Sequence, residues 1–204
     1  EKLASLTSFS LICDTDMSSY QKLIVPLIHR MLNLEELTLY IDVSSFKIFI
    51  DGNNLKENII NHLSRLNKFL FNILSIMHLH MKPYLPTNEE IENTFSNFTG
   101  NKIISSVEYF PIRQSGQCRI YTYPFTINNY ARISNNFSGG LFKYVHEISL
   151  FDEHHFEHEF FIRIAQSFPF LKVLSINNWT SQKHKSSRTL NNVKRLVKIG
   201  SRTN

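Results

Sequence analysis

With 204 residues, 42% of them hydrophobic and 19% charged, the chain suits one sizeable domain or a short repeat array and is too apolar to be disordered. Its net charge of +5 comes from the C-terminal stretch, where Lys183, Lys185, Arg188, Lys194, Arg195, Lys198 and Arg202 meet no acid; the remainder is nearly neutral and lacks the basic face of a nucleic-acid-binding domain. No signal-like leader and no apolar run of roughly 18 residues occurs, and Cys13 and Cys118 are too far apart for a disulfide framework, so a cytoplasmic or nuclear protein with buried free thiols is expected, and one that is a piece of something longer.

In chain order, the first apolar window is Leu6-Thr7-Ser8-Phe9-Ser10-Leu11. It has the loose form L-x-x-L-x-L, whose last two apolar positions alternate with polar ones as in a strand buried on one face. Leu23, Leu27 and Met31 then recur at four-residue spacing and predict a helix that Pro26 kinks or restarts. Leu34-Glu35-Glu36-Leu37-Thr38-Leu39 repeats the window, and Leu55, Ile59 and Leu63 predict a second helix. Leu66-Asn67-Lys68-Phe69-Leu70-Phe71 is the third window. Thr87-Asn88-Glu89-Glu90 has the spacing of a capping box opening a helix with Ile91, Phe95 and Phe98 on one face.

A fourth window starts at Ile104, and Ile103 to Phe110 with Gln117 to Phe125 reads as a hairpin turning at Gln114-Ser115-Gly116. Tyr130, Ile133 and Phe137 suggest a helix stopped by Gly139-Gly140. The windows Val145-His146-Glu147-Ile148-Ser149-Leu150 and Leu171-Lys172-Val173-Leu174-Ser175-Ile176 flank a last helix carrying Phe156, Phe160, Ile164 and Phe168 and ending at Pro169.

Window starts at 6, 34, 66, 104, 145 and 171 alternate with helical stretches, which implies parallel strands with helical crossovers. Because the outward strand positions are often polar, the expected architecture is an α/β, degenerate leucine-rich-repeat-like solenoid: a curved parallel sheet with outer helices and an inserted β-hairpin. Residues 1–179 would form this domain, with the hairpin at about 103–125 and a flexible or irregular basic tail over 180–204. The asparagine of regular repeats is missing eight residues after each window start, where Asp14, Asp42, Leu74, Ile112, Glu153 and Trp179 stand.

On such a fold the outward residues would line a concave partner-binding face. Tyr40, Phe110 and Phe151 would be its apolar anchors, with Thr38, Asn72, Ser149 and Asn177 among its polar positions. Ser10, Ile12, Leu70, Glu108 and Ser175 would also lie on it. The function expected is non-catalytic binding of a protein partner, without a cofactor.

Two other chemistries have a sequence basis. His154-x-x-Glu157-His158 has the H-x-x-E-H form of inverted zinc peptidases, which would need His154 and His158 on one helix face, Glu157 as general base and a third ligand. The pair His78 and His80 would share one face of a strand. The basic tail, with Leu190, Val193, Leu196 and Val197 interleaved, would suit RNA or an anionic surface.

The stretches Tyr121–Tyr130, Asn135–Gly140, Val145–Leu150, Phe156–Phe161 and Ser167–Phe170 together resemble a large invertebrate family of uncharacterised F-box-like, leucine-rich-repeat-like proteins. The resemblance is most specific from Cys118 to Ile176. It implies a repeat fold and a role in presenting substrates to a ubiquitin ligase. The F-box-like segment is not among these residues, so docking to ligase components would need a segment outside them, and the pattern stops after Asn178.

Overall fold

The computed structural model describes residues 3, 5–45, 49–78, 84–98, 100–178 and 197–199. The chain divides into two compact units, Glu1–Pro124 and Phe125–Asn204.

The first unit is built on a five-stranded sheet. Its strands are β1 (Ser8–Asp16), β2 (Glu36–Ser45), β3 (Lys68–His78), β4 (Lys102–Phe110) and β5 (Ser115–Tyr123), in the order β1-β2-β3-β5-β4. β1, β2 and β3 are parallel, whereas β5 runs antiparallel to both β3 and β4. Between β1 and β2 a π-helical turn (Tyr20–Ile24) leads into the short helix α1 (Val25–Ile28), so Pro26 restarts the helix in its first turn, where its missing N–H costs nothing. The buried side of this segment is Tyr20, Ile24, Ile28 and Met31. Leu23, expected inside, is exposed.

Helix α2 (Gly52–Asn58), capped by the Asp51 carboxylate on Asn54 N–H at 2.8 Å, buries Leu55, and Ile59 and Leu63 follow it into the core. Helix α3 (Asn88–Asn93) opens on the predicted capping box: Glu90 N–H donates to Thr87 Oγ1 at 3.1 Å and Thr87 N–H to Glu90 Oε2 at 2.7 Å. All these segments pack on one sheet face, against Leu37, Leu39, Ile41, Val43, Phe71, Ile73, Met77, Cys118 and Ile120.

The Thr87 backbone N–H first, then the Tyr84 and Thr87 hydroxyls, hold the Glu90 carboxyl below the usual glutamate range. A depressed folded value means that the box stabilises α3 at and above the unfolded glutamate pKa and stops doing so as pH falls through the lower, folded one. An NMR titration of Glu90 is expected to show that lowered midpoint, and Thr87→Ala, which removes the hydroxyl and keeps the leading backbone donor, to move it only part of the way back up. A wild-type midpoint at or above the ordinary glutamate value would refute the assignment.

The second unit carries a four-stranded parallel sheet, β6 (Asn129–Ile133), β7 (Glu147–Asp152), β8 (Val173–Asn178) and β9 (Val197–Ile199), in that order. Helix α4 (His158–Ser167) connects β7 to β8 and buries Phe160 and Ile164, with Phe156 and Phe168 buried at its ends. Phe142 stacks on Phe168 at 4.9 Å between centroids, and Tyr130, Phe137 and Phe125 close this aromatic core.

A single backbone device recurs in both units. The first residue of a window donates its N–H to the carbonyl three residues back: Leu6 to Leu3, Leu34 to Met31, Leu66 to Leu63, Val145 to Phe142 and Leu171 to Phe168. The first residue of the next strand and the residue before it then both donate to one carbonyl, that of the residue just ahead of the preceding strand. Glu35 and Glu36 converge on Thr7, Asn67 and Lys68 on Glu35, His146 and Glu147 on Asn128, and Lys172 and Val173 on His146. The L-x-x-L-x-L pattern therefore encodes a turn and a strand start in five of its six copies.

The solenoid is not what these units form. The strands make two sheets, one mixed and one parallel, with few and short helices, instead of one curved parallel sheet. The window at Ile104 lies in an antiparallel edge strand, because the short connection Pro111–Gln114 can only reverse the chain, whereas a parallel return needs about a dozen residues. The hairpin is not an insertion either, since β5 pairs directly with β3 and completes the sheet. Tyr130 and Ile133 sit in β6, not a helix, with Arg132 between them at φ 56°. Of the expected tail, Val197–Ile199 pairs as a strand with β8 and the rest lies outside the described residues.

Candidate interaction surface

The sheet register decides which predicted face residues meet. On the first sheet, the face away from the helices carries Ser10, Thr38 and Leu70 side by side on β1, β2 and β3. One step along lies the row Ile12, Tyr40, Asn72, Tyr121 and Ile104. Exposure is highest at one end of these rows and lowest in the middle: Ile12 is 66% exposed, Thr38, Tyr40 and Leu70 are half-buried, Asn72 and Tyr121 are buried, and Ile104 at the far edge is half-buried again. Further along, Leu74, Gln117 and Arg119 are buried as well, and the Arg119 guanidinium donates to Asn72 Oδ1 at 3.0 Å. The most exposed apolar side chain of this face is thus Ile12, at its β1–β2 corner.

Two expected anchors are misplaced. Phe110 is 5% and Phe151 2% exposed, so neither offers apolar surface to a partner. Phe151 lies instead under the Arg132 guanidinium, 4.3 Å from ring centroid to Cζ, and Arg132 N–H donates to Ser149 Oγ at 2.8 Å. Ser149, Phe151 and Asn177 belong to the second sheet, where Phe151 pairs with Asn177 and only Asn177 is exposed, whereas Tyr40, Thr38, Asn72 and Phe110 belong to the first. The single concave face linking all seven residues is therefore replaced by two separate sheets.

Nor does the histidine cluster take the peptidase arrangement. α4 starts at His158, so His154 is not on the helix, and His154 N–H donates to Asp152 Oδ1 at 2.9 Å in the preceding turn. Glu157 stands at the N-cap position of α4 without a capping hydrogen bond, and its carboxylate meets His155 Nε2 at 2.7 Å instead. Among the described residues no three His, Cys, Asp or Glu side chains are grouped to hold a metal ion. His78 is exposed, and His80 lies outside the described residues. The Cys118 thiol, pushed up to about 12 chiefly by burial, is protonated and unreactive at neutral pH.

Sequence reasoning missed the polar ladder that centres on the buried Asp152 in the second unit. Asp152 accepts the N–H of Asn135 at 2.8 Å as well as that of His154, while the Asn178 amide donates to the His154 carbonyl at 2.9 Å. A polar ladder does join consecutive strand ends here, one residue before the position at which the sequence pattern sought it.

No family model, no curated protein and no solved structure matches this chain. Among the described residues no helix is long and apolar enough to cross a membrane.

Proposed function

We propose that this protein is a non-catalytic protein-binding module that engages its partner through the β1–β2 corner of its first sheet. The observation that carries the reading is Ile12: a large apolar side chain in mid-strand, 66% exposed, beside Tyr40 on the same face and on the outermost strand of the sheet. An exposed Ile12 beside a half-buried Tyr40, bordered by Ser10 and Thr38, offers an apolar centre with a polar rim, the composition of a binding hot spot. The likeness of residues 118–176 to F-box-like proteins supports one use of such a module, presenting a substrate to a ubiquitin ligase.

The test is affinity capture with the full chain, comparing wild type with Ile12→Asp/Tyr40→Ala. Neither side chain is buried, so the fold should survive, as circular dichroism would check. Recovery of the specific partner is expected to fall at least tenfold, and equal recovery of every partner would remove the corner as the site.

A further inference from the structure

The same corner ends in a strand edge whose hydrogen-bonding groups follow a pattern that the protein itself completes elsewhere. In the parallel ladder, Glu36 N–H donates to Thr7 C=O and Lys68 N–H to Glu35 C=O, so alternate residues turn both backbone groups toward the preceding strand. Ser8 is the register partner of Glu36, which pairs in turn with Lys68. The N–H and C=O groups of Ser8, Ser10 and Ile12 therefore point away from β2, toward the side of β1 where, among the described residues, the sheet has no further strand.

The repeated turn adds a second element. Asn67 and Lys68 converge on Glu35 C=O, and Glu35 and Glu36 on Thr7 C=O. The corresponding pair on β1 is Thr7 and Ser8, whose N–H groups present a ready two-donor seat for one carbonyl. The edge also lacks the devices that block strand addition. From Ser8 to Ile12 there is no proline, no charge and no bulge, and the register breaks only between Cys13 and Asp16.

We propose that the partner is taken up as an added parallel strand on the edge of β1, an extended segment of another polypeptide whose carbonyl seats on the Thr7 and Ser8 N–H groups. This rests on the corner being the binding surface and names how it binds. The added strand would exchange bonds with Ser8, Ser10 and Ile12 and would lay alternate side chains next to Ile12. A symmetric dimer joined β1 edge to β1 edge does not fit the pattern: a two-fold axis normal to the sheet makes the edges run antiparallel, and one along the strands sets N–H opposite N–H instead of offsetting the edges by one residue as the parallel ladder requires.

β2 supplies the probe, since it already stands on the side of β3 that is vacant on β1. A labelled synthetic peptide of residues 33–43, capped at both ends, is titrated against the full chain by fluorescence anisotropy. Saturable binding is expected. Methylating the peptide nitrogens of Leu37 and Leu39, which would face β1, should weaken it at least tenfold, and methylating Thr38 and Tyr40 should not.

In the protein, Ser10→Pro removes one outward N–H and leaves the β1–β2 bonds, made by Phe9 and Leu11, in place. It should weaken binding to a similar degree. A spin label on the peptide's N-terminus should broaden the Thr7 and Ser8 amide signals. Absence of binding, indifference to the methylation pattern, or broadening at Ser8 from a C-terminal label would overturn strand addition. So would self-association that Ser10→Pro abolishes without any peptide binding. If Ile12→Asp/Tyr40→Ala loses the captured partner while Ser10→Pro keeps it, the corner stands and the added strand falls.

Discussion

Gly52→Ala is expected to destabilise the first unit by about 3 kcal/mol, near the upper end for overpacking. A Cβ at Gly52 would stand 2.4 Å from the Thr94 carbonyl oxygen and 2.6 Å from its carbon. The approach is this close because Gly52 N–H donates to Thr94 Oγ1 at 2.8 Å, which in turn donates to the Ile91 carbonyl at 2.6 Å. The start of α2 is thereby pinned to the end of α3. Relief requires moving backbone, and α3 cannot move freely because Ile91 and Phe95 are buried and Phe95 stacks on Phe71. Denaturant unfolding followed by amide exchange at Leu55 and Ile91 would measure the effect. Trimming Thr94 to Ala in the same molecule should not rescue it, since the nearest obstruction is the carbonyl. Rescue by Thr94→Ala, or a cost below about 1 kcal/mol, would show that the helix ends are not held together as described.

The pattern of apolar windows carried much of the local structure because each one fixes a physical event within a few residues. Leu34 N–H closes on Met31 C=O and Leu37 and Leu39 point inward, and the same holds at Leu171 with Leu174. The capping box was equally local. What escaped were relations between distant segments. The hairpin could be read from its two alternating runs, but nothing in those runs says that β5, and not β4, lies beside β3.

The segment around Tyr130 shows a limit of another kind. Apolar residues at 130, 133 and 137 fit a helix, yet a stretch this short is also compatible with a strand, and Asn129–Ile133 takes that course. The outward face failed for a third reason. Polarity at alternate positions identified the residues opposite the helices, but Asn72, Gln117 and Arg119 are polar and buried. Alternation tells which side of the sheet a residue is on. It does not tell whether that side reaches water, and so of the expected anchors only Tyr40 stands beside the exposed Ile12.

Asp152→Ala is expected to cost the second unit roughly 3 kcal/mol, because it strands two backbone donors instead of deleting a single contact. The carboxylate is 6% exposed and accepts from Asn135 N–H and His154 N–H, one on each oxygen. Those residues lie in the turns leaving β6 and β7, and the Asn178 amide on the His154 carbonyl ties in the end of β8. Alanine leaves a void that does not offer the two N–H groups an acceptor. Asp152→Asn keeps one carbonyl oxygen and should cost about half as much. The measurement is hydrogen exchange of the Asn135 and His154 amides together with global unfolding. Faster exchange at both sites in Asp152→Ala, intermediate in Asp152→Asn, is the expected order. Equal stability of the two variants would mean that the ladder is not what holds the strand ends in line, and the aromatic core of Phe142, Phe168 and Tyr130 would then have to do so alone.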